Sequence, residues 1–435
     1  MGKNVKRNAL KVLENWKTSS SRKPLILQGA RQTGKTWLMK EFGSQCYESA
    51  FYFNFDEEGN LSSIFENNKD PLRIIELLGL MRGMKIFPER HLIILDEVQE
   101  CPAALNSLKY FCEKVREYHV VSAGSMLGTL LAQPKSYPVG KVNILNVRPL
   151  TFDEFLEATD KPLLDYCSTL KRGAVIESFF HNRLTEAYNY YLIIGGMPEC
   201  VATWVNTKDP QKIRELQSEL VCLYENDFSK HNGKVNSGRI LLVFRSIVSQ
   251  LAKANEKFVY GCAKEGARAR EFETAIEWLV SAGMVIRANN VCKPEHPLVA
   301  FDQPNHFKLF LFDVGLLKNM AGISNEAILL KSDYQFKGAL TENYILQQIR
   351  DSFDVGPRYF VTSSYGEIDF LVQCGMDIVP IEVKGGEQTR AVSFKNYLNR
   401  YSPNKAIQFS KNKYSICQGY TNIPLYLAYM AKELM

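Results

Sequence analysis

The sequence predicts an α/β protein whose N-terminal part is a doubly wound parallel sheet, and three stretches carry that prediction. Gly29-Ala30-Arg31-Gln32-Thr33-Gly34-Lys35-Thr36 satisfies G-x-x-x-x-G-K-[ST] without a mismatch, between the apolar run Leu25-Ile26-Leu27 and the helix-forming run Trp37 to Phe42. His91-Leu92-Ile93-Ile94-Leu95-Asp96-Glu97 is an apolar strand that ends in two carboxylates. His119-Val120-Val121-Ser122-Ala123-Gly124-Ser125 is another, ending in small polar residues. Near-continuous apolar strands separated by helical segments belong to parallel sheets buried on both faces.

In chain order, residues 4 to 17 read as an amphipathic helix ahead of the first strand. The glycine-rich loop follows, and it is built for phosphate. Gly29 and Gly34 let the backbone curl close to the anion, and the N–H groups of Ala30, Arg31, Gln32 and Thr33 join the helix N-terminus in pointing at it. Lys35 adds charge for the β- and γ-phosphates of ATP, and the Thr36 hydroxyl is placed for Mg²⁺. Residues 50 to 56 form a second strand. Asp70-Pro71 opens a helix to Leu80, a cap followed by proline in the first turn. An open parallel sheet presents ligands at the carboxyl ends of its strands, so Asp96 converges on the loop and reads as a second Mg²⁺ group. Glu97 then orients or deprotonates the attacking water, and Ser125 reads either as a sensor of the γ-phosphate or as part of a plain turn. Arg31 and Arg148 are candidates for neutralising transition-state charge, in cis or from a neighbouring subunit of a homo-oligomer; a core-edge or surface arginine is the other reading.

Composition bounds the rest. The chain has 435 residues, 46% of them hydrophobic, and a net charge of +6, which permits nucleic acid without demanding it. Ten scattered cysteines with no C-x-x-C read as reduced thiols of a cytoplasmic protein rather than disulfides or a zinc site. The N-terminus has no signal-peptide apolar region, and no apolar run is long enough to span a membrane.

A family resemblance rests on Gly29-Ala30-Arg31-Gln32-x-Gly34-Lys35-Thr36, Leu95-Asp96-Glu97-Val98-Gln99, Gly124-Ser125, Pro149-Leu150-Thr151-Phe152-x-Glu154-Phe155 and Gly195-Gly196-Met197-Pro198. Phe310-Leu311-Phe312-Asp313-x-Gly315-Leu316 and Gly338-x-x-x-Glu342-Asn343 extend it. Together they resemble a prokaryotic AAA-type ATPase family whose members carry a C-terminal domain of unknown function. The chain is read as a P-loop ATPase core over 1–160, a helical lid over 161–225, a winged helix over 226–295, which the resemblance also implies, and a PD-(D/E)xK nuclease-like domain over 296–435. One departure is Gly140-Lys141, where the family usually reads Gly-Arg; a lysine supplies charge but no bidentate fork.

For the winged helix, Ile240, Leu241, Phe244, Ile247, Val248 and Leu251 recur at helical spacing, Phe258-Val259-Tyr260 reads as a short strand, and a second helix ends at Gly283 before a hairpin. Lys253, Lys257, Lys264, Arg268 and Arg270 make this segment basic. They read either as contacts to a DNA backbone or as the solvated face of a rigid joint.

The C-terminal domain holds a second chemical pattern. Strand Gly366–Val372 and returning strand Ile378–Lys384 form a hairpin that places Asp369 within reach of Glu382 and Lys384, which share one face. Asp followed by Glu-x-Lys on an adjacent strand resembles the PD-(D/E)xK core of restriction and Holliday-junction-cleaving nucleases. In that chemistry Asp369 and Glu382 bind Mg²⁺ and Lys384 steers water to the phosphate. Glu342 lies on the apolar face of the preceding helix, where a carboxylate is costly unless paired or bound to metal. The alternative is an ordinary hairpin with a Glu382–Lys384 pair. From Lys384 to Lys413 seven Lys/Arg stand against one acidic residue, with Phe394, Tyr397, Tyr401 and Phe409 interleaved, a pattern that either stacks on unpaired bases or packs a core. The leading expectation is an ATPase that controls engagement of nucleic acid, with a metal-dependent nuclease-like domain. The alternatives are an ATP-driven switch acting on a protein partner with that domain inert, and a winged-helix DNA-binding regulator.

Overall fold

The structure is a computed structural model that describes residues 6–124, 140–231, 233–253, 257–330, 335–362, 366–386 and 392–435. Ser125 lies outside the described residues. The chain divides into two compact units, Lys6–Arg148 with Trp278–Met284, and Pro149–Glu277 with Val285–Met435.

In the first unit, strands β1 (Leu25–Gln28), β2 (Ser49–Asn54), β3 (His91–Asp96), β4 (His119–Ala123) and β5 (Asn143–Asn146) form an all-parallel sheet in the order β2-β3-β4-β1-β5. Alternation along each strand feeds two cores. Ile26, Phe53, Ile93 and Leu95 pack with helices α3 (Leu61–Glu66), α4 (Pro71–Met81) and α5 (Pro102–Lys114). Leu27, Leu92, Ile94 and Val121 pack on the other face with α1 (Asn8–Thr18) and α2 (Lys35–Cys46). Double burial explains why these strands read as unbroken apolar runs. The expected start of α4 is present: Asp70 Oδ1 accepts the Leu72 N–H at 3.3 Å, with Pro71 in the first turn.

The second unit combines helices with an eight-stranded mixed sheet. Its strands are β6 (Val285–Val291), β7 (Asp302–Leu311), β8 (Val355–Thr362), β9 (Gly366–Cys374), β10 (Asp377–Val383), β11 (Ile407–Ser410), β12 (Ser415–Cys417) and β13 (Tyr420–Pro424). Their order is β12-β13-β11-β10-β9-β8-β6-β7. β6 and β7 are an antiparallel hairpin, and β6 joins β8 through one parallel pair, Asn290 with Tyr359. The sequence boundary expected at 295 therefore falls inside one hairpin.

Phe258 to Tyr260 is not a strand. The Gln250 side chain satisfies Val259 on both sides, accepting its N–H at 3.0 Å and donating to its carbonyl at 2.8 Å. Only Phe258 N–H reaches β7, at Phe307 O, 2.7 Å away.

The helices between Phe152 and Thr207, read in the sequence as part of the ATPase core and its lid, group with the C-terminal sheet rather than with the nucleotide-loop sheet. The resemblance motifs explain how. Leu150 N–H donates to Gly196 O at 2.6 Å, and Gly196 N–H donates to Asp313 Oδ2 at 2.7 Å. Asp313 also caps the helix Val314–Met320, its Oδ1 accepting the Leu316 N–H at 3.0 Å. Asn343 pairs with both Leu311 N–H and Leu311 O, and Phe152 N–H donates to Gln348 Oε1. Motifs far apart in the chain thus meet in one buried knot.

Burial pushes the Asp313 carboxyl up to about 6, and the backbone N–H groups of Gly196 and Leu316 oppose that rise. The folded state therefore holds this proton more tightly than the unfolded chain. Its stabilising effect is complete below about pH 4 and is lost as pH rises through 6, about 3 kcal/mol in all. Chemical denaturation should show wild type losing roughly that much between pH 4 and pH 7 relative to Asp313→Asn; equal pH slopes would refute the assignment.

Candidate functional sites

The phosphate loop follows β1 directly. Gly29 takes φ +149°, and a Cβ there would stand 2.1 Å from Val147 O, so only glycine fits. Gly34 takes φ +88° and starts α2. Lys35 folds back over the loop, donating to Gly29 O at 2.9 Å and Ala30 O at 2.8 Å. Burial lowers its ammonium to about 8, while Glu97 and Asp96 pull it back up. Thr33 Oγ1 donates to Ala30 O within the same turn. Arg31, Gln32, Gly34, Lys35, Thr36 and Glu97 line one cavity of about 430 Å³.

The two loops expected to converge do so. Thr36 Oγ1 donates to Asp96 Oδ2 at 2.7 Å. Asp96 is buried, and its Oδ1 accepts the Glu97 N–H at 3.0 Å. Glu97 itself sits in the left-handed region, φ +52°, uncommon for a non-glycine residue and costing about 1 kcal/mol or more. Such strain persists only where the surroundings enforce it, and here it turns the carboxylate into the cavity, held by Gln99 Nε2 at 2.5 Å from Oε2.

Three contributors escaped the sequence reading. Arg7 is buried and clamps the loop, donating to Thr33 O at 3.0 Å and Arg148 O at 2.6 Å. Tyr52 donates its hydroxyl to Asp96 Oδ2 at 3.0 Å, and Asp56 lines the cavity. Nothing in the sequence marks Arg7, whereas Tyr52 lies on the expected second strand. Arg148 meets Arg7 through its carbonyl. Lys141, at the departure from the family pattern, pairs with Glu113 at 2.8 Å.

The second site forms at the β9–β10 hairpin. Pairing runs from Asp377–Cys374 to Ile381–Phe370, so Asp369 and Glu382 come next, where the ladder ends. Asp369 Oδ2 takes the Val383 N–H there, at 2.7 Å. Glu382 is buried; its Oε1 meets Lys384 Nζ at 2.5 Å, and its Oε2 is enclosed without a hydrogen-bond partner. Glu342 comes from the helix Lys337–Ile349, and burial, opposed by Lys308 and Lys384, pushes its carboxyl up to about 7. Burial raises Asp369 as well, with Glu382 and Glu342 adding to the effect. Burial alone would lower the Lys384 ammonium, but Glu382 and Asp369 hold it above its ordinary value.

The four residues expected together are together, and two more join them. Glu367 is two positions before Asp369 and so shares its face of β9, a signal the sequence did contain. Lys308 reaches in from β7 and pairs with Glu367. Among the described residues no group of three or more His, Cys, Asp or Glu side chains is arranged to hold a metal ion. Mg²⁺ bound largely through phosphate and water needs fewer protein ligands, which suits Thr36 with Asp96. At the hairpin, the unpartnered Glu382 oxygen and the crowded carboxylates suit a cation.

The aromatics interleaved with basic residues are mostly core. Phe394, Tyr397 and Phe409 are buried, and Tyr401 packs against Tyr397 with ring centroids 4.6 Å apart and planes tilted by 36°. Base stacking by Phe394, Tyr397 and Phe409 is thereby excluded. No helix among the described residues is long and apolar enough to cross a membrane.

Residues 21–156 match the model of an AAA domain family. Residues 185–327 and 337–431 match two domains of unknown function, DUF8612 and DUF4143. No curated protein matches the chain. Among solved structures, the Walker-type ATPase PABY2304 of Pyrococcus abyssi is 13% identical with TM-score 0.45, covering 73% of this chain and 96% of its own. The RuvB Holliday junction branch migration motor of Thermotoga maritima is 14% identical with TM-score 0.32, covering 76% and 96%. The ORC1 protein of Aeropyrum pernix, solved in complex with DNA, is 14% identical with TM-score 0.27, covering 74% and 92%. The family match and the five-stranded parallel sheet carrying a P-loop agree: the N-terminal part of the chain is an AAA-type, P-loop ATPase-like domain.

Proposed function

We propose that this chain binds ATP with Mg²⁺ at the P-loop and hydrolyses it, and that hydrolysis controls engagement of nucleic acid. The observation that carries the first part is the 2.7 Å contact between Thr36 and Asp96, which brings the phosphate loop and the acidic end of β3 to one point. Thr36 and Asp96 would hold Mg²⁺, which supplies charge neutralisation at the phosphates. The backbone N–H groups from Ala30 to Gly34 cradle the phosphates, and the Lys35 ammonium exchanges its loop carbonyls for phosphate oxygens. Glu97 orients the attacking water and takes its proton.

The nucleic-acid part rests on two observations. Lys253, Lys257, Lys264, Arg268 and Arg270 are all exposed, as backbone contacts require. The second is the acidic site, with its enclosed Glu382 oxygen, in the succession helix Lys337–Ile349, β8, β9, β10, helix Val392–Tyr401, β11. On this reading Asp369 and Glu382 hold a divalent ion, Lys384 positions water, Glu342 adds charge, and the unit cleaves phosphodiesters.

Single-stranded, duplex and branched DNA and RNA should be tested with Mg²⁺ or Mn²⁺, with and without ATP. Cleavage should fall at least about 100-fold in Asp369→Ala and respond to ATP only when Lys35 is intact. Absence of cleavage with ATP turnover preserved would refute the nuclease reading.

A further inference from the structure

Four carboxylates crowd the hairpin site, those of Glu342, Glu367, Asp369 and Glu382, against two ammonium groups, those of Lys308 and Lys384. Lys384 pairs with Glu382, and Lys308 pairs with Glu367. Glu342 and Asp369 have no ion-pair partner within 4.0 Å among the described residues, so the cluster carries two uncompensated negative charges if both ionise. Lys308, Glu342, Glu367 and Asp369 line a single cavity of about 310 Å³. The Lys308 side chain is only 12% exposed, and its Nζ lies 5.1 Å from the centre of the Tyr359 ring. Its position is thus fixed on both sides. The ammonium stands where its field reaches Glu342 and Asp369 as well as its direct partner. It comes from β7, an edge strand outside the hairpin, so the Asp and Glu-x-Lys pattern holds no trace of it.

We propose that Lys308 is a second resident cation of this acidic site, beside the Lys384 that pairs with Glu382, and that a divalent ion entering at Asp369 and Glu382 must compete with it. This rests on reading the hairpin carboxylates as a metal centre, and it makes Lys308 a residue that lowers the metal affinity of that centre. A fixed positive charge beside the ligands opposes a dication, and in a half-enclosed cavity that repulsion is only partly screened. The same charge holds the carboxylates together when no divalent ion is present.

The test is calorimetric titration with Mn²⁺, together with melting temperatures in EDTA and in Mn²⁺, on the full chain. Lys308→Met should bind Mn²⁺ at least about tenfold more tightly than wild type, and Asp369→Asn in that background should abolish the gain. Lys308→Met should melt lower than wild type in EDTA and recover with Mn²⁺. Recovery of soluble Lys308→Met only in the presence of Mn²⁺ would report the same dependence. The double variant Lys308→Met/Glu367→Gln removes the pair without changing the net charge, and should bind Mn²⁺ close to the wild-type affinity. A Lys308→Met protein that binds Mn²⁺ no more tightly than wild type overturns the proposal. If wild-type binding is still lost in Asp369→Asn, the metal centre stands and only the role of Lys308 falls. If Asp369→Asn changes binding in neither background, the metal reading of the hairpin falls with it.

Discussion

Glu97→Gln should bind ATP as wild type does and turn it over at least about 100-fold more slowly. The side chain reaches the cavity only because its backbone is held at φ +52° and Gln99 anchors one carboxylate oxygen. Glutamine keeps nearly the same volume, and its amide retains an oxygen to accept the Gln99 bond. It cannot take a proton from water, so the loss should appear in kcat with little change in nucleotide affinity. Lys35→Ala should behave differently. On the proposed function its ammonium serves both ground-state binding and charge in the transition state, so affinity and turnover should fall together. Equilibrium binding of a fluorescent ATP analogue beside steady-state phosphate release separates the two patterns. A Glu97→Gln protein that turns ATP over at the wild-type rate would remove Glu97 from the chemistry.

The N-terminal sheet was legible because its signals are local. A perfect phosphate loop, a strand ending in Asp96-Glu97 and unbroken apolar runs each depend on neighbours in sequence, and parallel-sheet geometry brings their ends together. Arg7 was not legible, because its value lies in reaching two backbone carbonyls of Thr33 and Arg148. The hairpin site divides the same way. Asp369, Glu382 and Lys384 follow from strand alternation and simple register, and Glu342 from a carboxylate on an apolar helix face. Lys308 depends on a strand that joins the sheet through β6 and a single pair with β8. The missing strand at Phe258 to Tyr260 shows a side chain defeating propensity, since Gln250 supplies the hydrogen bonds a neighbouring strand would have given. The aromatics at Phe394, Tyr397 and Phe409 fit either a nucleic-acid surface or a core, and only burial decides between them.

The same contrast predicts the most damaging substitution outside the sites. Gly196→Ala should destabilise the C-terminal unit by about 4 kcal/mol or more, enough to deplete soluble protein. A Cβ on Gly196 would lie 2.2 Å from Leu150 O and 2.8 Å from Leu150 N, and both are backbone atoms. Neither can rotate away as a side chain would, so the segments must separate. Separation breaks the 2.6 Å bond from Leu150 N–H to Gly196 O and disturbs the Gly196 N–H bond to buried Asp313. A buried carboxylate that loses a donor costs far more than the net worth of one hydrogen bond. Gly173→Ala is the control, since Gly173 takes φ +86° with nothing within 4 Å of the added Cβ, so it should cost only about 1 kcal/mol of backbone strain. Thermal unfolding of the two variants side by side distinguishes steric exclusion from conformational preference. Equal melting temperatures would mean that the Leu150–Gly196 approach yields easily, and that steric exclusion at Gly196 contributes little to stability.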